Sequence, residues 1–553
     1  MNNKLLLLFL SLQLAFYANG QIKKAKVIDN IFSKWNAGNT PGAALGVMKE
    51  GELIYAKGYG MANLEYDIPN SSNSVFRIGS TSKQFTAACI IHLEEQGKLA
   101  LDNTLQEYFP DFSAYAKDIT IRHLLHHTSG IRDYLTLAYL KGYTDNHYYQ
   151  DSDIMQWLVN QQGLNFNPGD TYSYSNSGYW LLGQVVQKVS GMNMAEYAEK
   201  EIFQPLGMSN THFHNDHTQI VKNRASGYAP SEDGSFKISM TTLDMIGDGG
   251  IFTTINDIKK WDDAFYTSDH FSQQFWDKMT KTGTLNNGEP IDYAAGLVIG
   301  TYKGLKTISH GGAFAGFRAD LIRFPEERVT IAIFANRGDA NPTAMGYQVA
   351  DIVLQDKLKS EEKVDPPAEP VDDDVPTDAF EMSQLVGKYE VQPGIAVSFS
   401  IKGDALHAFQ GWNGAEYPIE RVSGNTFQIP ADPSIKFTFS NLYEGFAQLL
   451  TVDQGGKKST HKRMEEPGAS SVSLQDFAGD YYSQELDAVY RFFVEGDKLR
   501  LIIRNHDPVD LDDLKEDHFT YRVNVFRFKR SNGTVSGFEL DAGELKNLGF
   551  SKK

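Results

Sequence analysis

The chain has 553 residues, 41% of them hydrophobic and 12% aromatic, and a formal net charge of −18. That length exceeds what one core fills, so more than one domain is expected, and the apolar content excludes a disordered chain. The acidic balance lacks the basic face that phosphate backbones require and excludes nucleic acid as a partner.

The first residues, MNNKLLLLFLSLQLAFYANG, read as an export signal (1–20). Lys4 gives the positive start, Leu5 to Phe16 the apolar run, and Ala18 and Gly20 the small side chains of a cleavage site before Gln21. No cysteine stands at that site, so a lipid anchor is not expected. No later stretch reaches the ~18 unbroken apolar residues of a membrane span. The reading is a secreted or periplasmic protein without a membrane span.

A first domain is expected over residues 21–358. Residues 41–66 predict strands around a turn, 81–96 a helix closed by Gly97, and 305–335 strands again. Cys89, the only cysteine, lies on the helical stripe Phe85, Cys89, Leu93 and reads as a core thiol. Residues 359–378, with four prolines and a charge run, read as a linker. Asp372–Asp374 within it is a solvated acidic run. Short alternating strands follow, and they repeat: LVGKYEV…VSFSIKGDAL from Leu385 matches FAGDYYS…YRFFVEGDKL from Phe477. This predicts two β modules, 379–466 and 475–553, closing as separate small barrels or sharing one lipocalin-like barrel.

FRIGSTSKQFTAA, from Phe76 to Ala88, places Ser80 and Lys83 three apart at a helix start. Residues so spaced share a helix face, and a lysine of lowered pKa can take a serine's proton. The plainer alternative is a capping serine beside a solvated lysine. Two other S-x-x-K matches, Ser360–Lys363 and Ser459–Lys462, precede no helical pattern. PGDTYSYSNSGY offers Tyr174 as a proton relay and Asn176 as a partner for a substrate amide, or else a turn with packing tyrosines. In ISHGGAFAGFRA, strand residues lead into His310, Gly311 and Gly312, where glycines would admit a substrate backbone and a strand edge would offer an N–H to an oxyanion.

S-x-x-K, Y-x-N and H-x-G in this order resemble the penicillin-recognising serine hydrolases: class C β-lactamases, DD-peptidases, D-aminopeptidases and related esterases. ITIRHLLHHTSGI (from Ile119), FQPLGM (from Phe203) and GDGGIFTTINDIKKW (from Gly247) agree, and the resemblance spans roughly residues 25–355. It implies an α+β, class C β-lactamase-like catalytic domain: an antiparallel sheet flanked by helices, plus an all-helical subdomain. All-β C-terminal modules would follow. It also implies Ser80 as nucleophile, Lys83 and Tyr174 sharing the acid–base work, and Asn176 orienting substrate. The oxyanion hole would be the N–H groups of Ser80 and Ala313.

His310 stands where β-lactamases carry lysine. A histidine near its ordinary pKa of ~6.5 is mostly neutral at pH 7, so carboxylate recognition is expected to weaken. Appended β modules resemble those of D-aminopeptidase-like members, where they can shape the cleft. The expectation is an exported serine hydrolase acting through a Ser80 acyl-enzyme on D-amino-acid peptides, peptidoglycan fragments or small esters and amides. The alternatives are a non-catalytic cell-wall or glycan binder and a weak β-lactamase. No cofactor or metal is expected. His212 and His214 in THFHNDH, which also holds His217, read as a surface loop, and His123, His126 and His127 as residues that shape a loop.

Overall fold

The computed structural model describes residues 24–359 except 37, 113, 145, 146 and 268, and residues 379–553 except 393, 394, 412–414, 431, 455, 465–472 and 505. The expected signal (1–20) and all but the first residue of the expected linker (359–378) lie outside the described residues. The chain divides into two units: Met1–Leu135 with Asp145–Glu362, and Thr136–Thr144 with Lys363–Lys553.

The first unit is built on one antiparallel sheet. Its strands are β1 (Ala43–Lys49), β2 (Glu52–Tyr59), β3 (Val298–Tyr302), β4 (Leu305–Phe314), β5 (Phe317–Phe324) and β6 (Val329–Ala335). The order is β3-β4-β5-β6-β1-β2, so strands from both ends of the unit meet in the middle, with Ala43 opposite Ala335. In β6, VTIAIFA, every residue is buried, as a strand covered on both faces requires. At the edge, β2 alternates between more and less exposed residues over much of its length. The β1–β2 hairpin turns at Glu50 and Gly51, both at positive φ, the geometry that matches strand twist.

Four helices matter for the site: α1 (Lys83–Glu95), α2 (Asn176–Ser190), α3 (Ile255–Tyr266) and α4 (Pro342–Val353). Val349 and Ala350 of α4 share one core with Phe32, Leu45, Ile322 and Ile331. On α3, Ile255 packs so closely on β1 that a Cβ at Gly46 would lie 2.4 Å from its Cγ2. A buried ion pair, Arg323 Nε to Asp262 Oδ1 at 2.8 Å, ties α3 to β5, and the Thr330 hydroxyl donates to the same oxygen at 2.7 Å. Phe85, Cys89 and Leu93 are fully buried on α1, and burial pushes the Cys89 thiol pKa up. Gly97, at φ +67°, follows the helix end. The α+β class and the sheet-with-helices plan expected from the resemblance are what the chain adopts.

The second unit holds two sheets. One has eight strands in chain order between Gly387 and Lys462, and a bridge from Tyr389 to Arg463 brings its two ends together. The other has nine strands between Gly479 and Lys552, with its first and last joined at Tyr481↔Lys552. The sequence repeat has a physical basis. In each, a one-turn helix leads to a glycine at strongly positive φ (Gly387 at 146°, Gly479 at 142°) and then to a fully buried tyrosine. The Tyr389 hydroxyl donates to Ala447 O at 2.9 Å, and that of Tyr481 to Phe477 O at 2.8 Å. Each module therefore closes on its own core instead of sharing one barrel. Residues 136–144, inside the 21–358 span assigned to the first domain, cluster with this unit: Tyr490 donates its hydroxyl to Leu140 O at 2.8 Å, and the Lys141 ammonium donates to Leu486 O.

Candidate active site

The strand Phe76–Arg77 runs into a 3-10 turn, Gly79–Ser82, and then into α1. The helix does not begin with a capping serine, because no side chain caps it. Instead the Ser80 hydroxyl faces Lys83, whose Nζ stands 3.2 Å from Ser80 Oγ. The same ammonium donates to Asn176 Oδ1 at 2.9 Å and to Asp248 O at 2.6 Å. An ammonium has three protons, and here each has an acceptor. Lys83 is fully buried, so it is not the solvated lysine of the plainer reading. Desolvation lowers its pKa to about 8, with the negative charges of Asp248 and Asp133 opposing the shift.

Three approaches hold this arrangement. At Gly312, on β4, a Cβ would lie 1.9 Å from Ile78 O, and at Gly79, at φ +52°, a Cβ would lie 2.8 Å from Ala313 N. Thr81 Oγ1 donates to His310 O at 3.0 Å. The strand edge therefore sits directly on the Ser80 turn, with Ala313 N against Gly79, the residue before Ser80. Gly312 makes room for the chain's own backbone, where the sequence suggested room for substrate. Gly311 is exposed.

Asn176 opens α2, and its backbone N–H donates to Asp133 Oδ2 at 2.5 Å. His127, at φ 57°, accepts from Ser175 N at 3.1 Å and packs its ring 4.2 Å from that of Tyr174. Tyr174 is held over Lys83, its ring centroid 4.8 Å from Nζ. Burial pushes the Tyr174 pKa up, partly offset by its hydrogen bond to Ser80. The phenol is therefore neutral at pH 7.

His310 is 6% exposed, with Nε2 2.9 Å from the Tyr293 hydroxyl and Nδ1 2.6 Å from Gly311 O. Burial first, then the Lys83 charge, lowers its pKa to about 4. The ring is uncharged at pH 7 and does not line the cavity. That cavity, about 100 Å³, is walled by Arg77, Ser80, Tyr174, Asn176, Asp248 and Ala313 among others. Tyr134 joins it through a 2.9 Å hydrogen bond to Asp248 Oδ2.

The remaining histidines do other work. His212 Nε2 and His214 Nδ1 lie 3.3 Å apart, both rings against Phe252, and His217 pairs with Asp244 at 2.9 Å. Among the described residues no cluster of three or more His, Cys, Asp or Glu side chains is placed to hold a metal. Ser459 lies on an exposed strand of the first β module, and Ser360 is outside the described residues.

Sequence reasoning singled out neither Arg77, Asp133, Asp248 nor Tyr293. Arg77 and Asp248 stand inside quoted motifs, and Asp133 follows one by two residues. Tyr293 carries no local signal.

The Beta-lactamase family matches residues 27–354. The chain belongs to this family, and with it to the penicillin-recognising serine hydrolases. It is 30% identical over 375 residues to penicillin-binding protein 4* of Bacillus subtilis, covering 65% of this chain and 81% of that one. A D-aminopeptidase of Gluconobacter oxydans is 28% identical over 310 residues, but the match covers only 58% of its length and 56% of this chain. Among solved structures, an octameric penicillin-binding protein homologue from Pyrococcus abyssi superimposes with a TM-score of 0.57 at 22% identity, covering 88% of this chain and 99% of that one. A penicillin-binding protein from Bacillus halodurans does so at 0.52 and 27% identity, over 59% of this chain and 98% of that one. The chain is a serine hydrolase. Among the described residues no helix is long and apolar enough to cross a membrane.

Proposed function

We propose that this enzyme, exported by its first twenty residues, hydrolyses amide or ester bonds of D-amino-acid derivatives through an acyl-enzyme on Ser80. One observation carries the reading: a buried lysine, its pKa lowered to about 8, in hydrogen-bond contact with Ser80 and Asn176. The likeness to D-aminopeptidases and a penicillin-binding protein supports the substrate class.

In this mechanism Lys83, once it has lost its own proton, takes that of Ser80 as Oγ attacks the substrate carbonyl. The N–H groups of Ser80 and Ala313 receive the developing oxyanion. Asn176 Oδ1 is engaged by Lys83, which leaves Nδ2 to donate to a substrate carbonyl. Tyr174, neutral because it is buried, gives its phenolic proton to the departing amine or alcohol and regains one from Lys83, which held the serine's proton. Water then attacks the acyl-enzyme, losing a proton to Lys83 that returns to Ser80 Oγ as the acid leaves. His310 acts behind these groups by fixing Tyr293, and Gly311 and Gly312 carry the strand edge that presents Ala313.

The test is a fluorescent phosphonate together with D- and L-aminoacyl p-nitroanilides. Label on Ser80, lost in Ser80→Ala, and preferential cleavage of the D series are expected. An unlabelled wild type that turns over no substrate defeats the hydrolase reading, and preference for the L series defeats the substrate class.

A further inference from the structure

Arg77 precedes Ser80 by three residues and is 6% exposed. Its strand pairs with Ile251–Thr253, Arg77 opposite Phe252, so the backbone is fixed. The guanidinium lies 4.9 Å from the Phe314 ring centroid and 6.0 Å from that of Phe252. Among the described residues Arg77 forms no ion pair, and its buried Nε has no hydrogen-bond partner. Asp248 and Asp244 are near enough to be felt electrostatically, but neither forms an ion pair with it: Asp248 Oδ2 accepts from Tyr134, and Asp244 pairs with His217. Behind Arg77, a smaller cavity is lined by His214, His217 and Arg224, which supply no counter-anion. In front, Arg77 lines the cavity that holds Ser80 and Ala313. Buried charges are ordinarily paired, and an arginine without a partner is built for a planar anion from outside.

Arg77 and Tyr174 line one cavity but draw on different neighbours. The ring neighbours of Tyr174 are His127, Tyr293 and His310, and those of Arg77 are Phe252 and Phe314, with none in common. The leaving group must meet the proton donor, Tyr174. The portion reaching Arg77 is then the acyl portion that stays on Ser80.

We propose that Arg77 is the specificity residue of the cleft and binds a carboxylate on the acyl side of the substrate, as in a D-amino acid with an acidic side chain. This rests on the serine hydrolase reading above. It also places carboxylate recognition on a permanent cation, where the histidine at 310 implied only weakened recognition.

The test compares D-glutamyl and D-glutaminyl p-nitroanilide, which share a leaving group and differ by carboxylate against amide. In wild type, kcat/KM for the glutamyl substrate is expected to exceed that for the glutaminyl one by tenfold or more. In Arg77→Gln that ratio should collapse toward unity, and Arg77→Lys should recover part of it. A wild-type ratio of one or below, or an unchanged ratio in Arg77→Gln, overturns the proposal. If Arg77→Gln does not fold, the wild-type ratio and Arg77→Lys decide. The phosphonate label on Ser80 separates the two readings. With label present and the ratio flat, the Arg77 assignment fails alone. With label absent, the hydrolase reading fails, and calorimetric titration of D-glutamate against D-glutamine into wild type and Arg77→Lys still decides Arg77: equal affinities overturn it, and a preference for glutamate weakened in the variant supports it.

Discussion

The three residues before Ser80 and the three after it each end on a buried cation, and the chain treats the two differently. Lys83 has an acceptor for each of its three protons, drawn from Ser80, Asn176 and Asp248. Among the described residues Arg77 forms no ion pair and leaves a buried Nε unpartnered. Their chemistry sharpens the contrast. A lysine shifts its pKa readily on burial and is useful when it can let a proton go, whereas a guanidinium stays charged. The saturated cation is the one that titrates near neutrality, and the unsaturated one is the permanent charge. One belongs to bond-making and the other to holding something in place.

The largest effect that separates the two is on chemistry. Lys83→Ala is expected to lower kcat/KM by ~10³-fold, the scale of a lost general base. Adding Ser80→Ala should cost little beyond Ser80→Ala alone, since members of one catalytic unit do not act independently. The variant also leaves Asn176 Oδ1 and Asp248 O short of a donor, at roughly 1–3 kcal/mol for an unsatisfied buried acceptor, which a thermal melt reads. Lys83→Ala activity within tenfold of wild type would show the comparison to be misdrawn.

The next effect is on pH. With Lys83 titrating at about 8, its free-base fraction grows as pH rises. The kcat/KM for a neutral substrate should climb about tenfold per unit below that value and level off above it. Arg77→Lys should keep the same rising limb, because the group that titrates is on the other side of Ser80. A profile flat from pH 6 to 9 would mean that Lys83 gives up no proton in the reaction.

The parts legible in the sequence were those that local pattern encodes. Alternation and turn residues marked the hairpin of β1 and β2, the helix after Ser80 and the repeated β modules. The S-x-x-K, Y-x-N and H-x-G motifs pointed to Ser80, Tyr174, Asn176 and His310, and the fold brings Ser80, Tyr174 and Asn176 to one cavity with His310 just behind. What escaped is held by distant partners. Asp133 reaches Asn176 across 43 positions, and Asp248 reaches Lys83 across 165. How far burial lowers the His310 pKa escaped for another reason: spacing says nothing about desolvation. The ordinary histidine pKa already implied a mostly neutral ring at pH 7, and burial beside Lys83 keeps it neutral to lower pH.

That neutral ring supplies the smallest expected effect, and it is read in stability instead of rate. His310 has a folded-state pKa of about 4 against an ordinary ~6.5. The folded state therefore takes up its proton later than the unfolded state does. Its contribution is fully present above pH 6.5 and is lost as pH falls toward 4, amounting to ~2 kcal/mol at pH 5. Burial first and the groups facing the ring explain the direction: Lys83 opposes a second cation, the Tyr293 hydroxyl and Gly311 O occupy its nitrogens, and among the described residues no carboxylate pairs with it. Denaturant melts at pH 7.5 and pH 5 should show wild type losing more stability than His310→Gln by about that amount. His126 and His214, also lowered to about 4 by burial, keep some acid sensitivity in the variant. Equal losses in the two proteins would mean that His310 is protonated as readily folded as unfolded. That would return to His310 a charge that titrates near its ordinary range, beside the charge of Lys83.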